Sequence, residues 1–187
     1  MTYGWAGAFL LLGRLVLFTF PDSIVAAPPS GPIRSLAEIR HEGVVIQKWD
    51  LSCGAASLAT LLTHDLSDPV SERDVATAML HLTDPVKVRT RGGFSLLNMQ
   101  EYSESRGYRA DGYGELALED LSALLPAIVP VEFHGYDHFV VVREIRAGEV
   151  YFADPAYGRR RISVREFENA WKSKIAFVVS RREEERE

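Results

Sequence analysis

The chain has a single cysteine, no Walker-type glycine-rich loop, no internal repeat and no low-complexity tract in its 187 residues. One cysteine excludes an internal disulfide and any zinc site built on several thiolates. Without a Walker-type loop, the common signature of nucleotide hydrolysis is missing. Neither sign of charge is in large excess: 21 Lys and Arg face 26 Asp and Glu, a formal net charge of -5. That balance gives no electrostatic ground for binding nucleic acid. What is present is ordinary globular material. A hydrophobic content of 47% and an aromatic content of 10% suffice for one domain with a true core.

The first 26 residues stand apart. Gly4 to Phe20 is almost wholly apolar, interrupted by Arg14, and Ala26-Ala27 precedes Pro28-Pro29-Ser30-Gly31-Pro32. This pattern resembles a secretory signal followed by a linker. Arg14 makes an uncleaved anchor a poor reading, since a charge at mid-bilayer costs roughly 2.5–3.5 kcal/mol on insertion scales. The expectation is therefore export to the periplasm with removal of residues 1–26, leaving no membrane span. A linker and lead-in segment then covers 27–43, a domain 44–180, and a solvated charged tail 181–187.

Against that background the lone thiol carries information. Cys53 opens the run Cys53-Gly54-Ala55-Ala56-Ser57-Leu58-Ala59, which predicts an apolar helix to about His64. A thiol in the first turn of a helix faces the positive end of the dipole and unpaired N–H groups, which favour thiolate. Gly54 beside it is expected to let another molecule approach the backbone. Burial as a small hydrophobe is the competing reading, because free cysteine is often buried. In an oxidising compartment, however, a lone free thiol is usually kept for a reason.

Further along, Ser71 and Asp74 resemble a capping box opening a helix to about Leu82, and Ser95 opens another ending at Gly107. The basic, glycine-containing stretch from Val86 to Gly93 suggests an exposed loop. Tyr108–Tyr113 predicts a strand and Leu118–Leu125 a short helix stopped by Pro126. The last third is rich in β-branched and aromatic residues. Strands are expected at 127–133, at 138–145 after a turn of Gly135, Tyr136 and Asp137, at 149–153 beyond the Ala147-Gly148 hairpin, at 159–164 and at 175–179. A helix is expected at 164–171. Helices first and an antiparallel sheet second point to an α+β fold.

Catalysis by cysteine requires a base for the thiol proton, a group orienting that base and a donor for the oxyanion. Five histidines compete. His41, His64 and His81 fall in or at the ends of predicted helices, where solvated or capping roles suffice. His138, at the mouth of the most apolar strand, and His134, in the preceding loop, remain as candidates for the base. Asp154 follows the strand expected to pair with that of His138, so the two side chains could lie within hydrogen-bonding reach. A simple turn aspartate before Pro155 is the alternative. Gln47, six residues before Cys53, could fold back over the helix start and donate to an oxyanion; alone it reads as a surface glutamine.

Gln47-x5-Cys53-Gly54-x-Ala56-x-Leu58, then His138-Phe139-Val140-Val141-Val142, then Asp154-Pro155-Ala156-x-Gly158 resembles the C39 family of papain-like cysteine peptidases. Gly93-Phe94-Ser95-Leu96-Leu97 through Gly107-Tyr108 resembles its middle helix. The resemblance implies a papain-like α+β fold in which a helical part packs on an antiparallel sheet. It implies Cys53 as nucleophile, His138 as general base and acid, Asp154 as orienter and Gln47 as oxyanion donor, with no metal or organic cofactor. Ser52 stands where many members carry an acidic residue. The exporters of that family fuse this domain to transmembrane and ATP-binding parts. The pattern here is more similar to stand-alone members, such as the accessory peptidases of functional-amyloid export systems. The resemblance therefore implies a protein or peptide substrate, an exported amyloid subunit or secretion component among them, with cleavage after paired glycines. A non-catalytic module that binds an export substrate is the other function such a domain serves. The basic residues Lys87, Arg89, Arg91 and 159–161 are expected to be solvated loop and strand faces; lining a groove for an acidic substrate is the alternative.

Overall fold

The computed structural model describes residues 33–182. The expected signal segment, the first six residues of the linker and lead-in segment and most of the charged tail lie outside these residues. Serine caps start several helices. Ser35 opens α1 (Leu36–His41) with Glu38 closing a capping box, and Ser71 opens α3 (Glu72–Leu82), accepting from the N–H of Asp74. Between them α2 (Cys53–Thr60) runs into a π-helical turn, Leu61–Asp65. That turn closes with Leu66 N–H donating to Leu61 O at 3.0 Å, five residues back.

The segment expected as a basic loop is instead α4 (Pro85–Arg91), with Asp84 capping the N–H of Val86 and Gly92 left-handed at the end. Proline in the first turn and glycine just past the last are helix signals, and they outweigh the exposed basic character of the segment. Ser95 then caps α5 (Leu96–Ser105), followed by β1 (Tyr108–Tyr113) and α6 (Leu118–Ala123). The remaining elements are β2 (Ala127–Phe133), β3 (Tyr136–Arg146), β4 (Glu149–Asp154), β5 (Gly158–Ser163), α7 (Val164–Ala170) and β6 (Ala176–Arg181).

The strands form one antiparallel sheet in the order β1-β6-β2-β3-β4-β5. Two tight turns set its register. His134 and Gly135 (φ 53° and 82°) join β2 to β3, with Phe133 opposite Tyr136; Ala147 and Gly148 (φ 51° and 77°) join β3 to β4. Positive φ at both central positions matches the twist of a hairpin. Tyr136 and Asp137, expected in the turn, are therefore already strand.

Alternation sorts the sheet residues onto two cores. Ile128, Val141, Ala153 and Phe177 face α2, α3 and α5, meeting Leu58, Leu61, Val75, Met79 and Met99. Val129, Val140, Val142, Val150 and Phe152 face the other way, onto Leu121 of α6, Phe167 and Ala170 of α7 and Trp171 just past its end. The helical part thus covers one face, as expected, and α6 and α7 cover the second. Fully burying a side chain of the size of Phe167 stabilises by about 1.5–3 kcal/mol.

A bulge links the layers. Arg143 is the extra residue between the Val142–Phe152 and Glu144–Tyr151 pairs. Its guanidinium reaches both oxygens of Asp65 in the π turn at 2.9 Å and the carbonyl of Gly43 at 2.9 Å. A bulge re-aims a side chain in this way, and here it fixes the end of the α2 segment to the sheet.

Candidate active site

Cys53 is the first residue of α2, half-buried and unoxidised. As the first helical residue it has no intrahelical carbonyl for its N–H. The loop before it is held from below by Glu72, a carboxylate only 3% exposed. Glu72 accepts from Lys48 N–H at 2.9 and 3.1 Å. The Ser52 hydroxyl lies between that carboxylate and Trp49 O, the latter at 2.7 Å. Ser52 thus spends its side chain on tying the loop down, with no side-chain cap on α2. The space beside Gly54, expected to admit another molecule, is filled by the chain itself. A Cβ there would touch Met99, Phe139 and Phe94 at 3.5–3.6 Å. The packing of α2 on β3 is also tied by the Ser57 hydroxyl donating to Phe139 O at 2.9 Å.

His138 is the third residue of β3, close to the His134–Gly135 turn. Its Nε2 lies 2.9 Å from Asp154 Oδ1 at the end of neighbouring β4. Cys53 lines the same cavity as His138 and is near enough to add to the upward pull on its pKa. Desolvation pulls the imidazole's pKa down; the hydrogen bond it donates to Asp154, the pull of Cys53 and the charges of both outweigh it and hold the pKa at about 9. His134 is a turn residue with positive φ, which accounts for it without chemistry.

Asp154 is fully buried. Oδ1 also accepts from Ala156 N–H at 2.8 Å, and Oδ2 accepts from Arg160 Nη1 at 2.9 Å. Burial opposes its ionisation, but the bonds from His138 and Arg160 prevail and keep its pKa below the ordinary carboxylate value. Sequence reasoning found the aspartate and missed both Arg160 and Glu72. Arg160 was grouped with its solvated neighbours, of which Arg161 pairs with Glu149 at 2.9 Å and is mostly exposed.

Gln47 is tied in by its backbone, donating to Pro155 O at 2.9 Å just after Asp154. Its amide is uncommitted: Nε2 makes one long contact of 3.5 Å to Trp49 O, and Oε1 is buried without a partner. Two cavities flank the imidazole. One, of about 400 Å³, is lined by Cys53, Gly92, Gly93, Phe94, Pro130 and His138. The other, of about 710 Å³, is lined by Gln47, Phe133, His138, Tyr157 and Arg160 among others.

The sequence profile of the Peptidase C39 family matches residues 41–184. The chain belongs to that family. Two curated C39-like relatives are both named probable functional amyloid protease FapD. The Pseudomonas aeruginosa protein is 44% identical over 147 residues, 79% of this chain and 64% of the relative. The Pseudomonas fluorescens protein is 40% identical over 160 residues, 83% of this chain and 70% of the relative. The chain thus spans just under two thirds of the length of the first. Among solved structures, a double glycine motif protease from an AMS/PCAT transporter, crystallised with its leader peptide, superposes with a TM-score of 0.55. It is 27% identical, over 73% of this chain and 89% of that one. The papain-like α+β architecture expected from the sequence is the fold of this C39 member. Among the described residues no helix is long and apolar enough to cross a membrane.

Proposed function

We propose that the protein is a cysteine endopeptidase with Cys53 as nucleophile, His138 as base and acid, Asp154 as orienter of the imidazole and Gln47 as oxyanion donor. The observation that carries this reading is that His138 Nε2 lies 2.9 Å from a fully buried carboxylate while the imidazole and Cys53 line one cavity. A cation beside sulfur favours the anionic nucleophile. The sulfur adds to a peptide carbonyl, and the oxyanion is met by the Cys53 N–H and the Gln47 amide. Collapse expels the amine, which takes its proton from the His138 imidazolium, and leaves a thioester. Water, deprotonated by the now neutral imidazole, hydrolyses the thioester and restores the imidazolium.

The substrate we infer is an exported protein or peptide cut after paired glycines, with an amyloid subunit or a component of its secretion system as the first candidate. The leader-peptide complex of the solved relative and the names of the Pseudomonas relatives support this choice. The apolar segment before residue 26 supports action in the periplasm.

Iodoacetamide alkylation of Cys53 in the purified protein tests the site without knowledge of the substrate. At pH 6 the wild-type rate is expected to exceed that of His138→Ala by roughly tenfold or more, because the imidazolium beside sulfur favours the reactive anion. Equal rates in the two proteins overturn the catalytic reading. Full cellular function in Cys53→Ala points instead to a module that binds its export substrate without cutting it.

A further inference from the structure

Arg160 stands out among the polar side chains near the site because the fold has built a seat for it. It lies on β5 opposite Phe152 of β4. Its guanidinium carbon sits 5.0 Å from the Phe133 ring centre, 5.5 Å from that of Phe152 and 5.4 Å from that of Tyr157. Three aromatic faces around one cation hold it by attraction and restrict its rotamers. From this cage Nη1 donates to Asp154 Oδ2 at 2.9 Å. The flanking arginines are used differently: Arg159 lies 3.6 Å from Glu42 and Arg161 2.9 Å from Glu149, both largely exposed.

The consequence follows from the valence of the carboxylate. Oδ1 is shared by His138 Nε2 and the Ala156 N–H, and Oδ2 is held by Arg160. Two oxygens pinned from opposite sides fix the torsion of a planar group. With the guanidinium gone, Oδ2 becomes a buried acceptor without that partner, a costly state, and rotation toward solvent relieves it at the expense of the bond to His138. We propose that Arg160 is a positioning residue that locks the Asp154 carboxylate so that Oδ1 stays on His138 Nε2. This rests on the reading of Cys53, His138 and Asp154 as the site.

The sign of one measurement separates positioning from other roles. A guanidinium that acted only as a nearby charge would disfavour the imidazolium, so its removal would raise the titration midpoint of His138. One that acted only by packing would leave the midpoint alone. A guanidinium that holds Asp154 in place supports the imidazolium, and its removal lowers the midpoint. The other charged groups lining the cavities beside His138 stay constant in the comparison. These are Arg91, Asp137 and the Glu132–Lys172 pair on one side, and Arg40, Asp50, His134 and Arg161 on the other.

The experiment is an NMR titration of the His138 ring in wild type, Arg160→Met and Arg160→Lys, with His138→Ala identifying the resonance and thermal melts establishing that each variant is folded. The expected result is a wild-type midpoint of about 9, a fall of at least roughly one unit in Arg160→Met, and recovery of most of that fall in Arg160→Lys. Where Arg160→Met does not fold, Arg160→Gln is read in its place. An unchanged or raised midpoint in the folded variant overturns the inference while leaving the site intact. A wild-type midpoint near that of a free imidazole, unmoved by Cys53→Ala, overturns the reading of the site itself.

Discussion

His138 couples the site to the stability of the whole domain. In the unfolded chain its imidazole titrates near 6.5, and in the fold at about 9. Protonation therefore favours the folded state. The contribution is fully present below about pH 6.5, declines as pH rises through the interval and is gone above about pH 9. A gap of that size corresponds to about 3 kcal/mol at roughly 1.4 kcal/mol per unit. The side chain is 15% exposed, so solvent screening removes little of it. The perturbation is His138→Ala, and the assay is urea unfolding of both proteins at pH 6, 7.5, 9 and 10. The stability difference between wild type and variant should shrink by about 3 kcal/mol from the lowest to the highest pH. In a Cys53→Ala background the shrinkage should be smaller, because Cys53 supplies part of the upward pull. A wild-type minus variant difference that stays constant across pH would refute the reasoning, since the imidazole would then gain nothing from its partners.

Gln47→Ala should lower kcat by roughly a hundredfold or more with little change in KM, the signature of a donor used only in the transition state; steady-state kinetics on a cleaved peptide checks it, and a change confined to KM contradicts the assignment. Gly158→Ala should destabilise strongly, because φ is +83° and a Cβ would lie 2.5 Å from Arg40 O. The expected loss exceeds about 1 kcal/mol, is read by urea melts, and should be accompanied by faster amide exchange in α1; wild-type stability would show that α1 does not press on this turn.

How much of this was legible in the sequence depends on whether the governing interaction is local. Ser71 and Ser95 announce their helices because a cap and the backbone N–H that donates to it lie three residues apart. The α4 helix was missed even though Asp84, Pro85 and Gly92 carry the same kind of local signal; a run of exposed basic residues beside two glycines obscured it. The π turn at 61–65 has no comparable mark, and its partner Arg143 is 78 residues from Asp65. At the site, Cys53, His138 and Asp154 could be picked out by residue type, helix start and strand end. Arg160 and Glu72 could not, because their meaning lies in register. Only the pairing of Phe152 with Arg160 separates that arginine from the two beside it. Glu72 is an ordinary first-turn acid until α3 packs beneath the loop at 48–52.

The backbone bond from Gln47 to Pro155 has a bearing on when, during folding, the proposed site is assembled. It joins the approach to the nucleophile to the turn behind the orienting acid, two stretches from opposite halves of the chain. Contacts so distant in sequence are costly to close early. A chain that has formed its helices but not its sheet owns a thiol with no base, no orienter and no anchored amide. Under the proposed mechanism, cutting power thus arrives only with long-range closure of the sheet.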